Sequence, residues 1–318
     1  MRSIKNAKYT RWMSVFRTYT TGFYNTLKFA SEAKSLRLFQ GEKWILDLPD
    51  QDKLCLYINT PAEDSKKHVI IVIHGLAGAA MDPSVVSVTE KFLKEGYPVV
   101  RMNLRGSGAG AGLARHFYHA GRDEDLVSVV KGVLERFPGH SISMVGMSLS
   151  SNIMFRYLAK EKSSKLSCAI ALSPVIDLQS GSEKLSSVYF GMINNVVLSI
   201  LKSYFIKRKR AYNDVNLPDW NVIKKMWQFD DLFIAPECGF KNAEEYYSAT
   251  SALPYLKSIK ANWKAVLCLD DPIASAEKKF LPRDFPDNSV ILPSGGHLYM
   301  GKYGGLGEVA YKIFKEMA

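Results

Sequence analysis

Ser141-Ile142-Ser143-Met144-Val145-Gly146-Met147-Ser148-Leu149-Ser150-Ser151-Asn152-Ile153-Met154-Phe155-Arg156-Tyr157-Leu158-Ala159 is the stretch on which the fold turns. Ser141 to Val145 reads as a short buried strand. From Asn152 to Ala159 the apolar residues recur at helical spacing. Ser148 stands between the two, so it sits on a sharp strand-to-helix turn. Such a turn lifts a serine hydroxyl to the carboxyl edge of a sheet, and its pattern is Gly-x-Ser-x-Gly. The flanking residues are small because strand and helix approach closely there. Gly146 fills the first position, and Ser150, still small, fills the last. The turn alone is a weak signal, so the reading depends on partners that follow in the right order.

Working outward, the chain alternates strands and helices. Trp44–Leu48 and Leu54–Ile58 are two short strands joined by the turn Pro49-Asp50-Gln51-Asp52, an antiparallel start to a sheet. His68 to Ile73 is β-branched without polar alternation, which marks a strand buried on both faces, as in a parallel sheet. Helices follow over 84–95 and 123–137, with a strand at 98–103 between them. Beyond the serine turn come strands at 166–172, 264–269 and 289–292 and a closing helix at 307–317. This rhythm predicts an α/β fold, a mostly parallel doubly wound sheet of about eight strands. From about 175 to 255 the rhythm breaks into helical pattern. That block reads as a helical cap inserted over the carboxyl edge of the sheet, where open α/β sheets bind ligands. The division is therefore 1–40 as a basic, helical N-terminal segment and 41–318 as the sheet domain with its cap.

Composition narrows the classes of function. Of the 318 residues 47% are hydrophobic and 23% charged, which suits one large or two small globular domains. Cys55, Cys168, Cys238 and Cys268 are widely spaced, a pattern of reduced thiols with neither a disulfide framework nor a zinc site. No apolar run reaches the ~20 residues of a membrane span. The formal net charge is +11. Part of it lies in residues 1–31, where Arg2, Lys5, Lys8, Arg11, Arg17 and Lys28 accompany Trp12, Val15, Phe16, Tyr19 and Phe23 at helix-like spacing. This segment is either a helix packed on the domain with a solvated basic face, the preferred reading, or a helix in peripheral contact with an anionic membrane or a transit peptide. A cytoplasmic location is expected. Lys207-Arg208-Lys209-Arg210 reads as the solvated end of a helix over 196–211 rather than a nucleic-acid contact, because its surroundings are apolar.

A serine nucleophile needs a base, and the base needs an orienting acid. With the chain order serine, acid, histidine, His297 is the base: it is the one histidine after Ser148, and Gly295-Gly296 shape its loop. The acid should follow the preceding strand, where Asp270 and Asp271 stand side by side. Asp271-Pro272-Ile273 fits the spacing better, with Asp270 bracing the loop; Asp270 as the acid is the alternative. The oxyanion donors expected are the backbone N–H groups of Leu149, after the serine, and Leu76, in the loop after 68–73. His74 reads as a brace for that loop. Arg105-Gly106-Ser107-Gly108 lacks the spacing of a phosphate loop and reads as structural bracing.

With these residues in place, the chain resembles the α/β-hydrolases of the bacterial YheT and eukaryotic ABHD1/ABHD3 group. The resemblance is carried by His74-Gly75-Leu76-Ala77-Gly78, Asn103-Leu104-Arg105-Gly106, Tyr118-His119-Ala120-Gly121, Phe229-Asp230-Asp231-Leu232, Gly239-Phe240 and Tyr246-Tyr247. Asp270-Asp271-Pro272 and Gly295-Gly296-His297 complete it. It runs in order from about 40 to 315. It implies the α/β-hydrolase fold, a triad of Ser148, Asp271 and His297, and serine esterase (carboxylesterase or lipase-like) activity on a medium or long acyl ester. The chain departs from the group at Ser150, where glycine is usual, and at Ala274-Ser275, where a bulkier apolar residue is usual. The partner expected is a small-molecule ester or lipid, with no nucleic acid, metal or organic cofactor. An acyltransferase using an alcohol in place of water and a non-catalytic lipid-binding relative are the alternatives.

Overall fold

The computed structural model describes residues 41–62, 65–161, 166–274 and 286–318. The N-terminal segment 1–40 lies outside the described residues. Eight strands form one sheet: β1 (Glu42–Asp47), β2 (Lys53–Asn59), β3 (His68–Ile73), β4 (Val99–Met102), β5 (Ser141–Met147), β6 (Leu166–Leu172), β7 (Asn262–Cys268) and β8 (Ser289–Leu292). Their spatial order is β1-β2-β4-β3-β5-β6-β7-β8. β2 pairs antiparallel with β1 and with β4, and all the remaining pairs are parallel.

The helices are α1 (Pro83–Lys94), α2 (Glu124–Arg136), α3 (Leu149–Lys160), α4 (Leu178–Ser187), α5 (Met192–Ala211), α6 (Ala243–Thr250) and α7 (Leu306–Met317), with shorter helical turns between them. They cover both faces of the sheet. Val69 through Ile73 have no exposed surface, and their side chains alternate between two cores. Ile70 and Val72 pack with Val85, Val88 and Phe92 of α1 and with Ile313 and Phe314 of α7. Val69, Ile71 and Ile73 belong to the core that holds Leu126, Val129 and Val133 of α2, Ile153 and Met154 of α3, and Leu201 and Phe205 of α5. Each such buried aliphatic side chain is worth about 1.5–3 kcal/mol, which is why a run without polar residues makes a central strand.

The chain leaves β3 for β4 on one side and later places β5 on the other side of β3. The carboxyl ends of β3 and β5 are therefore the topological switch point, where a crevice opens in such sheets. The loop after β3 and the turn after β5 both begin there.

Three local details differ from the sequence reading. α3 is helical from Leu149, three residues before its apolar spacing begins. Its first turn contains Ser150 and Ser151, which are buried because their hydroxyls donate to strand carbonyls: Ser150 to Ile73 at 2.8 Å and Ser151 to Gly146 at 2.9 Å. α5 starts at Met192, just after Gly191 at φ 80°, and not at 196. Its Asn194 side chain accepts from the Met226 N–H and donates to the Lys224 carbonyl, which fixes the early turns. In the basic run Arg208 is buried rather than solvated. Its guanidinium pairs with Glu237 and donates to the Arg115 carbonyl, bonds made by segments far away in sequence.

Arg105 is a buried hub. It pairs with Asp50 and with Asp52 at 2.8 Å in the β1–β2 turn, and with Asp125 at 2.5 Å at the start of α2. Asp50, Asp52 and His116 come close enough to hold a metal ion, but the Arg105 cation already lies against both carboxylates. Among the described residues no single helix is long and apolar enough to cross a membrane; α4 and α5 reach that apolarity only together, across a 108° bend.

Candidate active site

Ser148 lies between β5 and α3 at φ 53°, ψ −117°. A non-glycine residue there costs on the order of 1–3 kcal/mol and persists only where its surroundings overdetermine it. Here they do. The Ser148 N–H donates to the Leu172 carbonyl at 2.9 Å, and the Val175 N–H donates to the Ser148 carbonyl at 3.3 Å. Gly146 suits the close approach of strand and helix, since a Cβ there would lie 3.1 Å from Cα of Ser151, tighter than an ordinary contact. Ser150 tightens the turn: its Oγ accepts from the Met147 N–H at 2.8 Å while donating to the Ile73 carbonyl. The hydroxyl thus ties the turn to β3, a bond that glycine could not make. Ser150→Ala leaves those groups unpaired in a fully buried position. It should cost about 1–3 kcal/mol, read as a lower urea midpoint at unchanged m-value; an unchanged midpoint would refute this role for the hydroxyl.

The structure brings Ser148, His297 and Asp271 into one hydrogen-bonded row. His297 Nε2 lies 3.0 Å from Ser148 Oγ. On the other side of the ring, His297 Nδ1 lies 2.9 Å from Asp271 Oδ2 and 3.1 Å from Oδ1. With Nδ1 carrying its proton toward the carboxylate, Nε2 accepts from the serine hydroxyl. Asp271 Oδ1 also accepts the Ile273 and Ala274 N–H groups at 2.8 Å. The small residue at 274 therefore leaves the acid loop closed on its aspartate. Asp270 points elsewhere: its Oδ1 accepts the N–H groups of Gly295 and Gly296, both at 2.8 Å. It braces the loop that carries His297.

The loop after β3 lies beside the serine. A Cβ on Gly75 would come within 3.1 Å of Ser148 Cβ, tighter than an ordinary contact, so glycine eases this close approach. Leu76 and Leu149 both line the cavity at Ser148. Leu149 is the first residue of α3, so its N–H has no partner within the helix. His74 is wholly buried in this loop. Its Nδ1 donates to the Gly75 carbonyl at 2.7 Å, and its Nε2 accepts the Leu104 N–H at 3.0 Å. Burial lowers its pKa to about 4, so the ring is neutral and acts as a brace. The Tyr118 hydroxyl accepts the Ala77 N–H at 2.7 Å and holds the far end of the same loop.

A cavity of about 200 Å³ opens over Ser148 and His297. Its wall is mostly apolar and comes from α4, α5 and the helical turns after them, with Leu185, Ile193, Val197, Leu201, Met226 and Ile234 among its residues. The apolar stretch 185–206 is thus divided: Leu198 and Phe205 are buried, Ile193 and Val197 line the cavity, and Phe190, Met192 and Val196 face outward. Polar groups also reach this wall from Ser182, Asp230 and Tyr247. Sequence spacing did not single them out for a site, because they come from three separate helical segments and no local pattern links them.

Comparison with known proteins gives a consistent picture. A family described as alpha/beta hydrolase fold matches residues 68–299. The monoacylglycerol lipase of Saccharomyces cerevisiae is 28% identical over 265 residues, covering 79% of this chain and 57% of that lipase. YheT of Escherichia coli is 27% identical over 260 residues, covering 80% of this chain and 76% of YheT. This chain therefore spans little more than half the length of the yeast relative. Among solved structures, the Pyrococcus furiosus esterase Pf2001 is similar with a TM-score of 0.58 at 20% identity, covering 90% of this chain and 96% of that one. A likeness at that identity bears on the fold.

Proposed function

The chain belongs to the α/β-hydrolase fold family, and from that premise we propose that it is a serine hydrolase of carboxylic esters with a medium or long acyl chain. The observation that carries the reading is the row Ser148–His297–Asp271, with hydrogen-bond contacts of 3.0 and 2.9 Å. In this reading His297 Nε2 takes the Ser148 proton as Oγ attacks the ester carbonyl carbon. The negative charge that develops on the carbonyl oxygen is met by the backbone N–H groups of Leu76 and Leu149. The C–O bond to the alcohol then breaks, and His297 returns the proton to the departing oxygen. Water, deprotonated by the same ring, cleaves the acyl-enzyme. Asp271 holds the ring in the tautomer that can accept from the serine, and it faces the imidazolium as it forms. In this reading the helical block at about 175–255 serves as the cap. Relatives named as a monoacylglycerol lipase and a putative esterase support the same class of chemistry.

The apolar wall supports a hydrocarbon acyl group. Each buried CH₂ adds up to about 0.8 kcal/mol, close to fourfold in binding. Across p-nitrophenyl esters kept below their micelle concentrations, kcat/KM should rise at least tenfold from acetyl to hexanoyl or octanoyl, with a burst of one nitrophenol per enzyme where deacylation is slow. A flat or falling series would reject the long acyl substrate. Absence of any turnover or burst would reject the hydrolase reading itself.

A further inference from the structure

Asp230 is a feature of the cavity that ester cleavage leaves unexplained. It is buried in a wall shared with Phe229, Met226 and Ile234, on the π-turn Asp230–Ile234. Such turns are rare and concentrate at functional sites. Its Oδ2 accepts the Tyr247 hydroxyl at 2.7 Å, and that hydroxyl lies 2.9 Å from Ser182 Oγ. Ser182 comes from α4 and Tyr247 from α6, so two helices converge behind the carboxyl group. Among the described residues Oδ1 has no hydrogen-bond partner, and no cation pairs with Asp230. Burial pushes the carboxyl up to about 7, against the pull of the Tyr247 hydroxyl. The other groups that it acts on are Tyr118, Tyr246 and Cys238, all neutral acids. A packing role alone would be filled better by an apolar residue, because a buried carboxyl with one neutral partner is costly. The missing complement is a hydrogen-bond donor arriving from the cavity, which Ser148 and His297 also border.

We propose that Asp230, backed by Tyr247 and Ser182, is a polar subsite that receives a hydroxyl group of the substrate. The preferred ester then carries a hydroxyl besides its scissile bond, either on the alcohol part, as in a monoester of a polyol, or on the acyl chain. This rests on the hydrolase reading above and goes further by naming the substrate class. The hydroxyl donates to Asp230 Oδ1 while the ester carbonyl lies at Ser148. The apolar wall accommodates the hydrocarbon between them.

The test compares kcat/KM for three esters of matched size: propyl octanoate, 3-hydroxypropyl octanoate and propyl 8-hydroxyoctanoate. The readout is the ratio of each hydroxylated ester to propyl octanoate, which is independent of the amount of active enzyme. The wild type should favour one hydroxylated ester at least tenfold, and the one favoured tells which part of the substrate carries the hydroxyl. Asp230→Asn and Tyr247→Phe should each lower that ratio at least fivefold; two variants are used so that poor folding of one leaves the other. A wild-type ratio below tenfold for both hydroxylated esters overturns the subsite, as does an unchanged ratio in a variant that still turns over. If no ester is cleaved at all, the hydrolase reading has failed instead. Cleavage of all three at similar rates removes the subsite alone.

Discussion

Ser148→Ala is expected to lower kcat by at least a thousandfold on every ester the wild type cleaves, and to abolish labelling by a fluorophosphonate. The reason is the position of Oγ: it is 3.0 Å from His297 Nε2 and lies at the floor of the cavity. Removing the nucleophile of such a row leaves only what binding and backbone donors contribute. The fold should survive the change. The strained φ of 53° is held by backbone hydrogen bonds to Leu172 and from Val175, neither of which involves the hydroxyl. The melting temperature should therefore stay within a few degrees of the wild type. Equal labelling of the alanine variant, at an unchanged melting temperature, would sink the assignment of Ser148.

The second large effect separates the adjacent aspartates. Asp271→Asn should lower kcat by about 10³- to 10⁴-fold. Asparagine can keep accepting the Ile273 and Ala274 N–H groups through its oxygen. That choice turns its NH₂ toward His297 Nδ1. The ring must then accept at Nδ1 and carry its proton on Nε2, facing Ser148, where it can no longer receive the serine proton. Asp270→Asn should act mainly on stability. Its oxygen can still accept from Gly295 and Gly296, but its NH₂ would replace Oδ2, a buried atom without a partner among the described residues. A loss of about 1–3 kcal/mol is expected. Kinetics and urea unfolding of both variants settle the matter: a larger fall in kcat for Asp270→Asn than for Asp271→Asn would reverse the roles.

What could be read from the sequence was what local patterning controls. His68–Ile73 announces a doubly buried strand because a β-branched run has nowhere else to hide its side chains. The strand, Ser148 and helix stand in immediate succession, so their turn was legible from neighbours alone. The alternation of such units implied the mostly parallel sheet, and chain order picked out His297 once Ser148 was taken as nucleophile. Residues far apart in sequence could not be joined this way. Asp270 and Asp271 are chemically identical neighbours; spacing favoured Asp271 but left Asp270 open, and the path of the chain puts Asp271 against His297 and Asp270 against the backbone of Gly295 and Gly296. Ser150 read as an imperfect glycine until β3 supplied the Ile73 carbonyl for its hydroxyl. Arg208 read as solvated until Glu237 came against it. Asp230 and Tyr247 stood among the residues of the family resemblance, but nothing in the sequence joined them to each other or to Ser182, because their hydrogen bonds exist only after α4, α6 and the π-turn have packed. Backbone conformation follows from nearest neighbours and the period of burial, whereas the partner of a polar side chain is set by whatever the folded chain brings within 3 Å.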